Sequence, residues 1–176
     1  LDVLTRNRGR RSGLVYGGNS RRRRAQYEAG NSVSLSWTGR LEDQLGRFEV
    51  AEASKERASH VLDDAKALAA VSAVTAILRM SLDEGDVAGS AMFEATEVLL
   101  DQIEAREIWP VLYVRWELGL LSALGFGLDL EECAISGAND GLTHVSPRTG
   151  RAVRGSEAED YVSRLLRLPS FLLSSS

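Results

Sequence analysis

Ser32-Val33-Ser34-Leu35-Ser36-Trp37-Thr38 alternates apolar with small polar side chains in a strict period of two. That period puts Val33, Leu35 and Trp37 on one face of a half-buried strand and the hydroxyl residues on the other. Gly30-Asn31 supplies a turn before it, and Gly39 follows. Arg47 to Val50 predicts a further strand, with Phe48 and Val50 on one face. Leu14-Val15-Tyr16, bounded by Gly13 and Gly17-Gly18, predicts another. Short strands separated by glycine turns every roughly eight to twelve residues fit a small β-barrel.

Beyond Glu52 the period becomes helical. Ala58, Val61, Leu62, Ala65, Leu68, Ala69, Ser72 and Ala76 follow three- and four-residue steps up to Leu78 and Met80. After a polar break at Asp83 to Gly89, Met92, Ala95, Thr96, Leu99 and Ile103 form the stripe of a second helix. Trp109-Pro110 opens a third, because proline is tolerated in a first helical turn, and Gly125 is its expected cap. Ser156 and Glu159 form a capping box before Tyr161, Val162, Leu165 and Leu166, with Pro169 as the stop of a fourth helix. The expected fold class is therefore α+β in several parts. An N-terminal β-barrel occupies 1–52, and an all-α helical domain occupies 53–176 with an irregular, turn-rich segment at 127–155.

Composition narrows the function classes. Of 176 residues, 44% are hydrophobic and 26% charged, as in an average globular protein. Cys133 is the sole cysteine and His60 and His144 are the sole histidines, so neither an intramolecular disulfide nor a four-ligand structural zinc site can be assembled from Cys and His. No metal and no cofactor are expected. The longest near-apolar run, Ala67 to Leu78, has 12 residues, against about 20 for a membrane span. The arginine-rich first segment lacks the apolar core of a signal peptide, so a cytoplasmic location is the default. Leu1-Asp2-Val3-Leu4 reads like the middle of a strand, as though the chain starts inside a longer protein.

The net charge of −4 hides a split. Residues 1–50 hold ten arginines and no lysine against five acids, a net +5, and the remainder carries −9. Arg6, Arg8, Arg10, Arg11, Arg21, Arg22, Arg23 and Arg24 stand against Asp2 alone in the first 24 residues. Such a change of sign points to a polyanion-binding part joined to a part with another task. Arginine's planar fork suits phosphate oxygens and base stacking, and cations on a barrel release counterions from a nucleic-acid backbone. The plainer reading is a solvated loop, but the density exceeds what solubility needs. Tyr16 and Trp37 offer stacking surfaces nearby, and each also has a core role open to it. No recognition helix or finger is present, so sequence-specific readout is not expected.

Catalytic constellations are lacking. His60 lies on the charged side of its helix. His144 and Ser146 are two apart without a nucleophile elbow, and Asp63-Asp64 and Glu131-Glu132 are adjacent pairs whose members point apart. Gly125-x-Gly127 lacks the third glycine of a dinucleotide fingerprint, and Gly17-Gly18 lacks a P-loop lysine. No enzyme is expected. The third helix gathers Trp109, Tyr113, Arg115, Trp116 and Glu117. It reads either as a core helix with Arg115 paired to an acid, or as a docking site where an aromatic pocket and Arg115 receive an apolar, acidic peptide end.

Several stretches together carry a likeness to a known family. They are Val3-Leu4-Thr5-Arg6, Gly9-Arg10, Gly13-Leu14-Val15-Tyr16-Gly17-Gly18 with Ser20-Arg21, and Ala29-Gly30-Asn31. The second half adds Tyr113-Val114-Arg115-Trp116-Glu117-Leu118, Leu124-Gly125-Phe126-Gly127-Leu128-Asp129-Leu130, Cys133-Ala134-Ile135-Ser136-Gly137 and Val145-Ser146-Pro147-Arg148-Thr149-Gly150. Together these stretches resemble the bacterial RecO recombination-mediator family over nearly the whole chain, and the second half is the more specific part.

The resemblance implies an OB-fold barrel followed by a helical domain, and a non-enzymatic repair activity in the cytoplasm, associated with the nucleoid. That activity binds single- and double-stranded DNA, anneals complementary strands and helps load recombinase onto coated single strands. Implied partners are RecR and the acidic C-terminal tail of single-strand-binding protein. Arg6, Arg10 and Arg21 stand in matched motifs and take the DNA-contact role, which Arg22, Arg23 and Arg24 join by proximity and charge, with Arg8 and Arg11 of the same cluster. Arg115 takes the tail-binding role. Two departures follow. Some relatives carry a four-cysteine zinc site where this chain keeps only Cys133. Relatives also place a strand and part of another ahead of the residue matching Leu1. Without these the barrel cannot close, and this chain alone is expected to bind DNA poorly or aggregate. Two other readings of the charge pattern stay open: a protein-interaction adaptor, and an RNA-binding barrel.

Overall fold

The computed structural model describes residues 1–18, 20–39, 46–159 and 162–173, with the backbone alone for Arg21, Arg22, Val50 and Ala51. Asp2–Thr5 (β1) and Gly9–Leu14 (β2) form an antiparallel hairpin. A short helix, Arg21–Arg24 (α1), precedes Ser32–Thr38 (β3), which pairs antiparallel with Gly46–Lys55 (β4). The two pairs join through a parallel contact, Gly13↔Gly46 and Leu14↔Arg47, giving the order β1-β2-β4-β3. A parallel pair between two antiparallel ones is OB-type Greek-key order. Among the described residues the sheet is not a closed barrel: β1 and β3 are its edges, and both line an open groove of about 860 Å³ together with Leu78, Phe93 and Leu100.

The alternation of 32–38 is realised, with Val33, Leu35 and Trp37 half-buried and Ser34, Ser36 and Thr38 exposed. The strand expected at 14–16 instead ends at Leu14, since the last pairing of β2 is Leu14↔Arg47 and the chain turns at Gly17 with φ +68°. The strand expected at 47–50 runs on to Lys55 because β3 pairs with it as far as Ser32↔Lys55, across two register shifts. Two aromatic rings lie against glycines here. A Cβ on Gly13 would stand 2.7 Å from the Phe48 ring, and one on Gly46 would fall inside the indole of Trp37. We expect Gly13→Ala to lower stability by about 1–2 kcal/mol through overpacking. A urea unfolding midpoint equal to that of the parent would contradict this packing.

Ala65–Ser81 (α2) starts seven residues later than the periodicity of Ala58 suggests, because Asp64 caps it. The Asp64 carboxylate accepts from the N–H groups of Lys66 and Ala67, at 3.1 and 3.2 Å. Those bonds, chiefly Ala67's, and the nearby Arg106 hold its pKa below the ordinary value. Asp86 caps Val87–Asp101 (α3) in the same way. Gly89 of α3 meets Gly9 at the start of β2, where a Cβ would stand 2.8 Å from the Gly9 Cα. Trp109–Ala123 (α4) ends as expected at Gly125, whose φ is +87°. The Gly125 N–H donates to Ser122 O and the Phe126 N–H to Leu121 O, the paired bonds of a Schellman cap.

The chain divides into two compact units, Leu1–Trp116 and Glu117–Ser176. In the first, Val61, Ala67, Ala70, Val71, Leu100 and Ile103 form a core against which Trp109 and Tyr113 pack. Trp116 is buried, and its indole N–H donates to Thr96 Oγ1 at 2.9 Å. An arginine outside the N-terminal runs joins this unit's sheet to α3. Arg57, 8% exposed, donates to Glu97, Asp101, Ser32 Oγ and the Gly30 carbonyl.

The second unit contains a three-stranded sheet: Leu142–Val145 (β5), Ala152–Arg154 (β6) and Leu166–Arg167 (β7), in the order β6-β5-β7. Cys133, Leu142, Ala152, Val153 and Ala158 form its core. The expected fourth helix is not found: the described residues of 155–173 make 3-10 turns and β7, while Tyr161 lies outside the described residues. The free edge of β5 explains this, since it claims Leu166 and Arg167 through Val145↔Leu166 and His144↔Arg167.

Candidate nucleic-acid interface

The hairpin and the short helix that follows it set the arginines in different surroundings. Arg6, in the β1–β2 turn, forms an ion pair with Glu94 of α3, and its guanidinium lies 5.0 Å from the Phe93 ring centroid. Arg10 donates to Asp2 at 2.9 Å and to the Leu82 carbonyl at 2.8 Å, leaving its side chain one-fifth exposed. Asp2 is held below the ordinary carboxylate range mainly by the Ser12 hydroxyl, with Arg79 and Arg10 adding to it against burial. Neighbouring strand residues face opposite ways, so Arg11, half-buried in β2, does not share a face with Arg10. Arg8 is exposed at the hairpin turn.

Arg23 and Arg24 are exposed on α1, and among the described residues neither is paired with a carboxylate. One Arg23 terminal nitrogen donates to the Tyr16 carbonyl at 3.0 Å. The side chains of Arg21 and Arg22 lie outside the described residues. Beside this helix Tyr16 is 64% exposed, with the Arg47 guanidinium 4.5 Å from its ring centroid. Arg47 also approaches Glu49 at 3.8 Å. Arg47 lies outside the N-terminal arginine runs of the sequence. Its place depends on the parallel pairing of β2 with β4, for which a linear pattern holds no signal. Trp37, weighed as a second stacking surface, is committed to Gly39 and Gly46.

Arg115 is exposed on α4, one residue from the buried Trp116. The Trp109 and Tyr113 rings meet edge to face with centroids 6.4 Å apart, and those of Tyr113 and Trp116 lie tilted at 6.0 Å. The remaining candidates are in ordinary structural settings. His60 is exposed with Nδ1 3.2 Å from Glu104. His144 Nδ1 lies 2.8 Å from Thr143 Oγ1, while Ser146 Oγ accepts from the Thr149 N–H in a turn. Cys133 Sγ is buried, 2.9 Å from a Glu157 carboxylate oxygen and receiving the N–H of Arg154. Among the described residues no cluster of three or more His, Cys, Asp or Glu could hold a metal, and no helix is long and apolar enough to cross a membrane.

Comparison with known proteins agrees over both halves. The family described as "Recombination protein O C terminal" matches residues 62–176. The DNA repair protein RecO of Hyphomonas neptunium is 75% identical over 173 residues, which cover 98% of this chain and 71% of the relative. The DNA repair protein RecO of Paracoccus denitrificans is 49% identical over 98% of this chain and 70% of its own length. That of Rhodospirillum centenum is 46% identical over 99% and 69%. The likeness thus reaches past the helices into the sheet that carries the arginines. The chain belongs to the RecO family of DNA repair and recombination proteins.

Proposed function

We propose that this chain is a non-catalytic mediator of DNA repair, whose N-terminal part, 1–52, binds single- and double-stranded DNA and anneals complementary strands. The observation that carries the reading is the group of cations on and beside α1. Arg23 and Arg24 project from a helix that holds no acid, and Arg47 stands near them at Tyr16. Phosphates of two strands neutralised there repel one another less, so that base pairs nucleate more readily. Arg21 and Arg22 extend the same run, and Arg8 and Arg11 add positive charge from the hairpin. Arg6 and Arg10 contribute less to phosphate contact, because a phosphate would have to compete with Glu94 and Asp2 for them. The test is the rate at which the full-length protein anneals complementary oligonucleotides, followed by fluorescence quenching. Acceleration that disappears at high salt is expected. Binding without acceleration would contradict the annealing role, and indifference to oligonucleotide competitors would favour a protein-interaction adaptor. Stronger binding of RNA than of DNA would favour an RNA-binding barrel.

The partners that accord with this role are RecR, the acidic tail of single-strand-binding protein, and through them the recombinase-loading step in the cytoplasm. Arg115 is exposed on α4 while the aromatic rings of that helix pack into the core, so it is the guanidinium that suits the carboxylates of an acidic peptide. Arg115→Ala is expected to weaken binding of a labelled tail peptide by about tenfold, the cost of one charge-assisted contact, and to leave affinity for bare DNA unchanged. Equal loss of both would show that Arg115 serves the fold or the DNA surface instead.

A further inference from the structure

We propose that Tyr16 and Arg47 form a stacking platform for one unpaired nucleobase, which gives the interface a preference for single strands over duplex. This rests on the nucleic-acid reading above and adds a contact that phosphate neutralisation does not require. Tyr16 lies outside the strand expected for it, between the end of β2 and the left-handed Gly17, and nearly two-thirds of it is open to solvent. It is nonetheless positioned from two sides. Its carbonyl accepts from Arg23 at 3.0 Å, and its ring lies under the Arg47 guanidinium at 4.5 Å.

Arg47 in turn is fixed by β4, where its register partner across the parallel pair is Leu14, itself 53% exposed. Two flat groups and an apolar side chain therefore stand outside the core. Among the described residues Arg47's other contact is a 3.8 Å approach to Glu49, between side chains 53% and 64% exposed. A nucleobase has two π faces, and both an aromatic ring and a guanidinium plane stack on them without regard to base identity. In a duplex those faces are taken by neighbouring base pairs. Only a single strand can offer one here, while Arg23 and Arg24 meet the flanking phosphates. Trp37, packed against Gly39 and Gly46, cannot substitute.

The test compares the full-length protein with its Tyr16→Ala and Tyr16→Trp variants. Three probes serve: an oligothymidylate, an abasic oligonucleotide of the same length and charge, and a blunt duplex. Tyr16→Ala is expected to weaken oligothymidylate binding by about tenfold, as for loss of one base–aromatic stack, with the abasic and duplex probes unchanged. Tyr16→Trp is expected to restore the thymidylate affinity, which also guards against a folding defect. Equal loss on the thymidylate and abasic probes, or no loss on either, would overturn the platform while leaving the phosphate-binding reading intact. Failure of the parent protein to bind any of the three would overturn both.

Discussion

Arg57→Ala is expected to lower the unfolding free energy by about 3 kcal/mol, the lower end of the cost of removing one partner of a buried ion pair. The side chain is 9% exposed and serves two carboxylates, a hydroxyl and a carbonyl, so its loss leaves Glu97 and Asp101 close together with Lys55 alone to balance their charges. The lower end applies because Asp101 is 41% exposed and Lys55 still reaches both acids, at 2.7 and 3.2 Å. Urea unfolding should show an earlier midpoint with an unchanged slope. A loss below about 1 kcal/mol, the usual worth of an exposed pair, would mean that this network does not hold the sheet to α3.

The same network sets a dependence on pH. Burial works to raise the Glu97 carboxyl, but hydrogen bonds from Arg57, Ser32 and Lys55 outweigh it and hold the pKa below the ordinary range. Asp101 behaves likewise, with burial opposed by Lys55 and Arg57. A carboxylate whose folded pKa is depressed contributes its stability above the unfolded value and loses it as the pH falls through the folded one. Stability should therefore be full near neutrality and decline as acid protonates these groups, at and below the ordinary carboxylate range. In Glu97→Gln that decline should be smaller.

The second large effect concerns DNA. Changing Arg21, Arg22, Arg23 and Arg24 together to serine is expected to weaken binding to single strands by about 10²- to 10³-fold at 0.1 M salt. That is what four lost phosphate contacts cost at about 0.7 per contact in the slope of log K against log salt. Annealing should fall with it. For Arg23 and Arg24 no fold defect is expected, because both are exposed and the bond from Arg23 is to a turn carbonyl. A loss restricted to protein partners, with DNA affinity retained, would assign these arginines to an adaptor surface.

What could be read from the sequence follows a physical divide. The 32–38 strand was legible because one face is buried and the other wet, which imprints a period of two on adjacent residues. The helix end at Gly125 was legible because a left-handed cap selects glycine. The extent of β4 was not, since its last residues become a strand by pairing with Ser32 and Val33 rather than through their own pattern. The expected fourth helix failed for the same reason, its residues being recruited by the edge of β5. For the arginines, charge density was visible but not its commitments. Arg6 finds Glu94 88 positions away, and Arg10 finds the Leu82 carbonyl. Arg57 lies outside the arginine runs and finds Asp101 44 positions away, and Arg47 meets Tyr16 across a parallel strand pair. Pairings of that range leave no local trace.

The claim on which the functional account depends is that cations on and around α1 neutralise the phosphates of a single strand. Its most direct measurement is the affinity of the full-length protein for a short oligothymidylate as salt is raised from low to moderate concentration, with and without the four serine substitutions. About five neutralised phosphates predict a slope of log K on log salt near −3.5 for the parent and near −0.7 for the variant. A flat response in the parent, or equal slopes in the two proteins, would contradict it.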